Sequence, residues 1–296
     1  MQNFLNTNNT LFPCEAVECI IKAEKSLRDA NQHTRLAALC QPLINEEKPI
    51  GELLAEMDEI AARTNLFPYT VYLLAYLHCA EAIREMYKKF ENAEQLFDGF
   101  LQNIVSCMQE CFSLHNVWGV LHGTWHQGFL IQKRYALDNF VFDVWEYPYE
   151  TYTKAGISVR KGDPVYNIHI PTGASLKRED RIRAYQSAYS FFAKKVTGNY
   201  MCFACNSWLL YPENKKFFPA GSKILDFIQD FDVICRTDHD TFHDAWRVFG
   251  AAHTEKRENW PQETALQKAY IKWLSQGGKT GDGFGVMLFD GEKIIK

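Results

Sequence analysis

The sequence has no excess of positive charge: 32 lysines and arginines stand against 36 aspartates and glutamates, a formal net charge of −4. Proteins that hold a phosphate backbone cluster their cations, and no such cluster occurs, so nucleic acid is not an expected partner. Long apolar runs are absent too. The most apolar stretch, VYLLAYLHCAEAI, is broken by His78 and Glu81 and falls short of the roughly 20 apolar residues that cross a bilayer, so no membrane is expected. The opening MQNFLNTNNTLFPCE lacks a basic segment followed by an apolar core of about 7–15 residues, and no secretory leader is expected. No linker rich in Pro, Gly or Ser, no internal repeat and no low-complexity tract interrupts the chain. Nine cysteines, an odd number with no export signal, read as free thiols in a reducing cytoplasm.

What is present suits a compact protein with a large core. Of 296 residues, 47% are apolar and 14% aromatic, enough for one large domain or two ordinary ones. From Glu15 to Leu114 apolar residues recur at spacings of three and four, as in Ile50, Leu53, Leu54, Met57 and Ile60, then Leu73, Leu74, Leu77, Ala80 and Ile83. That period predicts successive helices. Pro68 suits the first turn of one that runs to Phe90, and Asn92 the cap of the next, which runs to Phe112.

Beyond His115 the texture turns to aromatic runs, alternation and turns. VWGVLHGTWHQGFLIQ, DNFVFDVWEYP and DPVYNIHIPTG read as three strands or hairpin arms. A helix over REDRIRAYQSAYSFFAKKV follows, then a turn at TGN and a strand over Met201–Leu210, a helix near SKILDFIQDF, strands at FDVICRT and AWRVFG, a helix over ETALQKAYIKWLSQ, a glycine-rich turn and a last strand VMLFD. The fold class is α+β: a helical domain over residues 1–115 and a mixed domain over 116–296 with a mostly antiparallel sheet.

Several stretches invite a metal or phosphate. Cys202 and Cys205 form a C-x-x-C pair, but on a strand residues three apart face opposite sides. His122 and His126, like His239 and His243, are four apart, the spacing of two ligands on a helix; they fall in a strand-like segment and a short polar connector, where turn or surface histidines are the commoner reading. GGKTGDGFG has Trp273 where a P-loop needs a glycine, and its helix precedes it; a helix end followed by a turn is the plainer reading, with a flap over a substrate as the alternative. No metal is expected.

VYNIHIPTGASLKRED carries the most chemistry. On a strand from Val165 to Ile170, Asn167 and His169 share one face and Tyr166, Ile168 and Ile170 the other. Pro171 stops the ladder, Thr172, Gly173, Ala174 and Ser175 make a tight turn of small side chains, and a helix begins with Lys177 and Arg178 in its first turn. Unpaired amides at a helix start with two cations beside them suit a pyrophosphate. The competing reading is that Ser175 caps the helix and both cations are solvated. Asn206 and Ser207 in CNSWLL are either a satisfied buried pair or the lining of the same cleft from the neighbouring strand. Trp118, Trp125, Phe142 and Trp145 line a pocket or fill the core.

Taken together, HIPTGASL at 169–176, SAYSFF at 187–192, CNSWLLYP at 205–212, FPAGSKILDF at 218–227 and WPQETALQKAYIKWLSQGG at 260–278 resemble bacterial two-domain acyltransferase homologues, which join a helical N-acyltransferase N-terminal domain to a GNAT-like C-terminal domain. The resemblance implies a core whose fourth strand (Val165–Ile170) and fifth strand (Met201–Leu210) splay to admit the pantetheine arm of an acyl-CoA. By the same analogy Ile168, Ile170, Thr172, Gly173, Ala174, Ser175, Lys177 and Arg178 hold the cofactor, acetyl-CoA foremost. It further implies transfer of an acyl group to an amine of a small molecule or peptide. His169 is then the base, since imidazole titrates near neutrality. The amides around His169 and Ile170 hold the oxyanion, Tyr211 or Ser222 supplies the acid, and Asn206 orients substrate or water. The superfamily's phosphate turn has the form [QR]-x-x-G-x-[GA]; TGASLK has one glycine and no such Gln or Arg. That departure keeps a second reading open, a GNAT-like protein that binds a ligand or protein without catalysis.

Overall fold

A computed structural model describes residues 4, 5, 8, 10–193 and 199–296. The chain divides into two compact units, 1–136 and 137–296.

The first unit is helical: α1 (Cys14–Asp29), α2 (His33–Ala38), α3 (Cys40–Asn45), α4 (Ile50–Thr64), α5 (Pro68–Tyr87), α6 (Ala93–His115) and the single turn α7 (Gln127–Leu130). Prolines set the starts and left-handed asparagines the ends: Pro49 precedes α4, Pro68 opens α5, and Asn65 and Asn116 close α4 and α6. Asn92 stands at the start of α6 as expected, but its side chain accepts no capping bond. The core face of α4 is Leu53, Met57, Ile60 and Ala61. α5 is buried nearly all round, from Val71 through Leu77 to Ile83, and is the axle on which α4 and α6 pack. No single helix among the described residues is long and apolar enough to cross a membrane.

Residues 117–132, expected as a strand, form turns and α7 instead. Their backbone groups bond to helices rather than to a ladder. Val120 N donates to Tyr69 O at 3.0 Å, Thr70 Oγ1 to Trp118 O at 2.9 Å and Tyr76 Oη to Gly123 O, while Trp125 Nε1 donates to Asn103 Oδ1 at 2.8 Å. A Cβ on Gly119 would stand 2.5 Å from the Tyr69 carbonyl carbon, so only glycine lets this backbone lie against α5. The helical unit therefore runs some way past the point near 115 where the sequence changes texture.

The second unit is built on a six-stranded sheet. Its strands are β1 (Arg134–Leu137), which carries the boundary, β2 (Phe140–Glu146), β5 (Pro164–His169), β6 (Met201–Ser207), β7 (Asp232–His239) and β8 (Thr280–Phe289), in the order β1-β2-β5-β6-β8-β7. β3 (Thr151–Lys154) and β4 (Ile157–Arg160) form a separate hairpin, turned by Ala155 and Gly156, both at positive φ. β2 pairs antiparallel with β5, and β8 antiparallel with both β6 and β7. β5 and β6 are parallel. The helices are α8 (Arg178–Phe192), α9 (Asn214–Phe217), α10 (Lys223–Ile228), α11 (Ala245–Phe249) and α12 (Ala265–Ser275). The unit is thus a mixed α/β domain with a mostly antiparallel sheet, the expected class. The turn expected at TGN and the end of the preceding helix fall largely on residues 194–198, outside those described.

Side chains alternate across the sheet. One face carries Val165, Cys202, Ala204, Phe284, Val286 and Leu288, and the β3–β4 hairpin covers it with Tyr152 and Val159. The other carries Tyr166 and Phe203, which meet Phe192 and Tyr185 of α8 at ring separations of 4.7 and 5.6 Å. Three expectations give way here. AWRVFG is the helix α11, docked through Ala245 and Phe249 into an aromatic cluster with Phe218 and Tyr270. β6 ends at Ser207, where a 3₁₀ turn (Trp208–Leu210) begins. The glycines after α12 are only in part a turn: Gly277 is left-handed, but Gly281, Gly283 and Gly285 lie within β8. A Cβ on Gly283 would stand 2.2 Å from Leu210 O, so the bare strand is what lets the 3₁₀ turn fold across it. That leaves no flap in this segment.

Candidate active site

The parallel ladder between β5 and β6 has two register pairs, Tyr166–Phe203 and Asn167–Ala204. β2 and β5, by contrast, stay paired from Pro164 to His169. The regular parallel ladder therefore ends at Asn167 and Ala204, two residues short of the end of β5. Carried forward, the register sets Ile168 level with Cys205 and His169 level with Asn206, just past the end of the ladder. Asn206 is exposed.

His169 is held from below. Asp143 lies on β2 opposite Asn167, and Asp143 Oδ1, Asn167 Nδ2 and His169 Nε2 form a closed triangle with sides of 3.1, 2.9 and 3.0 Å. Asp143 is 6% exposed and Asn167 1%, whereas the His169 side chain is 25% exposed. The carboxylate only accepts and the Asn167 amide nitrogen only donates, so Nε2 serves one of the two; donation to Asp143 is the tautomer with the Nδ1 lone pair. Asn167 Oδ1 is buried without a hydrogen-bond partner among the described residues, which makes it an acceptor awaiting an N–H or a water. Trp145 meets the His169 ring edge-on, with centroids 6.2 Å apart.

Past His169 the chain turns as Pro171 and Gly173 demand. Ala174 N donates to Pro171 O at 3.0 Å, and Gly173 has φ +83°, the geometry of a type II turn. Helix α8 then starts at Arg178 with Lys177 at its cap position, no side chain capping it. By helix geometry the amides of Arg178 and Glu179 have no intrahelical acceptor, and Lys177 and Arg178 are exposed beside them. The turn is not bare throughout. Ser175 N donates to Asn139 Oδ1 at 2.9 Å and Asn139 Nδ2 to Ser175 O at 2.6 Å, so the amides of Ala174 and Ser175 are engaged within the protein. Ser175 Oγ accepts from Lys177 N at 3.3 Å and donates to Asp180. Thr172 Oγ1 accepts from Arg247 Nη1 at 3.4 Å. Arg181, fully buried, ties the turn to α10 and the loop after it, donating to Leu176 O, Asp226 and Asp230.

The other expected residues lie elsewhere. Tyr211 leaves the 3₁₀ turn over β8, with its ring against Gly281 and its hydroxyl donating to Asp238 Oδ1 on β7 at 2.9 Å. β8 lies on the side of β6 away from β5, so Tyr211 is carried off from the end of the β5–β6 ladder. Burial and then the Asp238 carboxylate push its hydroxyl up to about 12. Ser222 Oγ accepts from Ile224 N as the cap of α10, and Ser207 caps the 3₁₀ turn in the same way. Cys202 and Cys205 are both buried on opposite faces of β6; burial pushes the Cys202 thiol up to about 12 and Cys205 up as well. His126 is buried among aromatic rings, which pushes it down to about 3 and keeps it neutral. The rings of His239 and His243 stack at 4.4 Å, and His239 Nε2 lies 3.3 Å from Asp282 Oδ2. Phe142 is core, while Trp118 stacks on Phe112 and Trp125 under Arg134.

Asp143 and Asn139 are the site residues that the sequence reading missed. Asp143 had one signal: an acid at an inward position of an aromatic strand is a residue that needs a partner. Asn139 had none, since its partner Ser175 is brought to it only by the sheet.

The model of the GNAT-like C-terminal domain family matches residues 89–287. No curated protein matches the sequence. Among solved structures, an acyltransferase in complex with decanoyl-CoA superposes with a TM-score of 0.67 at 17% identity, over 95% of this chain and 85% of that one. An acyltransferase mutant in complex with octanoyl-CoA gives 0.70 at 15% identity, over 96% and 86%. An acyltransferase in complex with CoA and 10C-teicoplanin gives 0.57 at 15% identity, over 93% and 88%. At these identities the likeness is one of fold.

Proposed function

The chain belongs to the GNAT-like C-terminal domain family, and from that premise we propose that it transfers an acyl group from acyl-CoA to an amine of a small molecule or peptide. The observation that carries the reading is that the β5–β6 ladder ends immediately beside His169 and Asn206. Past the end of a ladder backbone groups are open to a ligand, and here the side chains of Asn167 and His169 stand beside them. A pantetheine arm has amides to satisfy such groups, and the buried Asn167 Oδ1 is a further acceptor for one of its N–H groups or for the amine.

In this reading the acceptor's nitrogen attacks the thioester carbonyl, a C–N bond forms and the C–S bond breaks. His169 Nδ1 takes the ammonium proton, and Asp143 holds the ring and stabilises the imidazolium that results. Amides around His169 and Ile170 receive the oxyanion. Asn206 orients the amine from the opposite strand. The leaving thiolate takes its proton from solvent; a thiol titrates near about 8.5, so it departs without a strong acid beside it, and Tyr211, whose proton serves Asp238, is not required. Lys177, Arg178 and the first amides of α8 receive the diphosphate, with Thr172 and Gly173 allowing close approach. The proposed donor is acetyl-CoA, and the structural neighbours hold octanoyl- and decanoyl-CoA.

A second reading has its own observation. The amides of Ala174 and Ser175 are spent on Pro171 and Asn139, as they would be in a family member that binds a ligand or a protein without catalysis. Calorimetry with CoA, acetyl-, octanoyl- and decanoyl-CoA separates the two. Micromolar binding of an acyl-CoA, of the order of a Michaelis constant, supports the transferase. No binding of any of the four sinks it, and the chain length bound most tightly tests the acetyl assignment.

A further inference from the structure

The helical unit holds a group of ligand-type side chains that the proposed reaction does not use. Glu24 projects from α1, His33 opens α2 and His78 lies midway along α5. Their donor atoms all fall within 4.8 Å of one another. His78 Nε2 is 2.7 Å from Glu24 Oε1, and His33 Nε2 is 3.4 Å from Glu24 Oε2. The two rings stand edge to face with centroids 5.1 Å apart, so both aim Nε2 at one carboxylate. We propose that Glu24, His33 and His78 form a binding site for one divalent metal ion of the zinc class.

Three observations carry this. First, the carboxylate is buried and underused: Glu24 is 5% exposed, and its Oε2 has no hydrogen-bond partner among the described residues. A buried anionic oxygen without a hydrogen bond is costly, and a cation at that oxygen removes the cost. Second, both histidine–carboxylate spacings are near those of a coordination sphere, and the two imidazole nitrogens lie within 4.8 Å of each other. Ligands at about 2.0–2.1 Å around a tetrahedral ion lie roughly 3.3–3.4 Å apart. The His33–Glu24 separation already has that value. The His78–Glu24 contact is a hydrogen bond that must open by about 0.6 Å as the ion replaces the shared proton, a small rotation of one imidazole. Third, two imidazoles and one carboxylate suit Zn²⁺ or Co²⁺, with water as the fourth ligand, and are too poor in oxygen for Ca²⁺ or Mg²⁺.

Arg28 is the competitor. Its guanidinium lies 3.5 Å from Glu24 Oε2 and 3.4 Å from His33 Nε2, where it offsets part of the charge that a dication would offset fully. Its side chain is 61% exposed, so it can withdraw into water when the ion arrives. The ion would then join three helices that are otherwise linked here by the His78–Glu24 and Arg28–His33 hydrogen bonds and weak ion pairs, a structural role for the amino-terminal unit rather than a catalytic one.

The test uses the full chain after dialysis against a chelator. Zn²⁺ titrated by calorimetry should bind at one ion per chain, and Co²⁺ should give visible d–d bands without the thiolate charge-transfer band that cysteines would add. His33→Ala, at a half-exposed position, should weaken binding by about tenfold or more, while Arg28→Ala should tighten it. Equal Zn²⁺ affinity in the parent, His33→Ala and His78→Gln would overturn the proposal and assign any bound ion to the His239–His243 pair or a thiol. Weaker binding in Arg28→Ala, with the helical circular dichroism unchanged, would overturn it too.

Discussion

Asp143 Oδ1 lies 3.0 Å from His169 Nε2, one strand over, at the end of β5 just past its ladder with β6. The contact holds the His169 ring, and where Nε2 donates to Asp143 it leaves the lone pair on Nδ1. In the transferase reading that is what turns a strand histidine into a base.

Replacing His169 by Gln keeps a polar side chain and removes the lone pair that takes the proton. The expected loss in kcat is about 10²–10⁴-fold. Asp143→Asn leaves the histidine in place but frees its tautomer. kcat should fall by about tenfold or more while KM for acyl-CoA stays close to that of the parent. A variant lacking the imidazole with full turnover from pH 6 to 9 would remove the base assignment.

The turn offers an independent handle. Asn139 makes two bonds to the backbone of Ser175, accepting from its N–H and donating to its carbonyl. Asn139→Ala should cost about 1–3 kcal/mol by leaving these groups unpaired. It should also release the amide of Ser175 near the start of α8. Denaturant melts read the first effect and calorimetry with acyl-CoA the second. Tighter binding of CoA by the variant would mean that Asn139 occupies a donor the diphosphate can use.

How much of this was legible in the sequence depended on how local each cause was. The helices α4 and α5 were legible because their 3.6-residue period is local and, for α5, Pro68 in its first turn marks the start. So was the polar pair on β5, because Asn167 and His169 break a greasy strand at period two. The segment 117–132 misled because its alternation looks like a strand, while the fact that decides it, Gly119 lying against Tyr69 of α5, is a distant contact. AWRVFG misled likewise, since its β-branched and aromatic residues serve a helix that docks on Phe218 and Tyr270. The β3–β4 hairpin could have been read from TYTK and ISVR flanking Ala155–Gly156, a two-residue turn with alternation on both sides. Asp143 with His169, Asn139 with Ser175 and Glu24 with His78 are 26, 36 and 54 residues apart, and no spacing rule reaches so far.

The glycines of β8, like Gly119, should be intolerant where glycines in open positions are not. At Gly283 a Cβ would stand 2.2 Å from Leu210 O and 2.6 Å from its carbonyl carbon, both backbone atoms that cannot swing aside. Gly283→Ala should therefore cost about 1–3 kcal/mol or more and shift the 3₁₀ turn off the sheet. Gly51, in the first turn of α4, has nothing within 4 Å of the added carbon, and Gly51→Ala should raise stability by about 0.5–1 kcal/mol. Urea midpoints of the two variants against the parent check both signs.

The thiols supply the last test, and it bears on whether the C-x-x-C pair is core or chemistry. A thiol reacts as its thiolate, and burial raises Cys202 to about 12 and Cys205 in the same direction, so at pH 8 neither should react in the folded protein. Cys14 is exposed and should be alkylated first. Because folding raises both buried thiols above the usual value near about 8.5, the unfolded chain loses these protons at lower pH than the folded one. The stability they contribute is complete below that value and declines as pH rises through it. Mass spectrometry after iodoacetamide should find Cys14 modified under native conditions and Cys202 and Cys205 modified only in denaturant. Native modification of Cys205 would mean that β6 is open to solvent on the face where α8 packs, and the core described for the second unit would then be wrong.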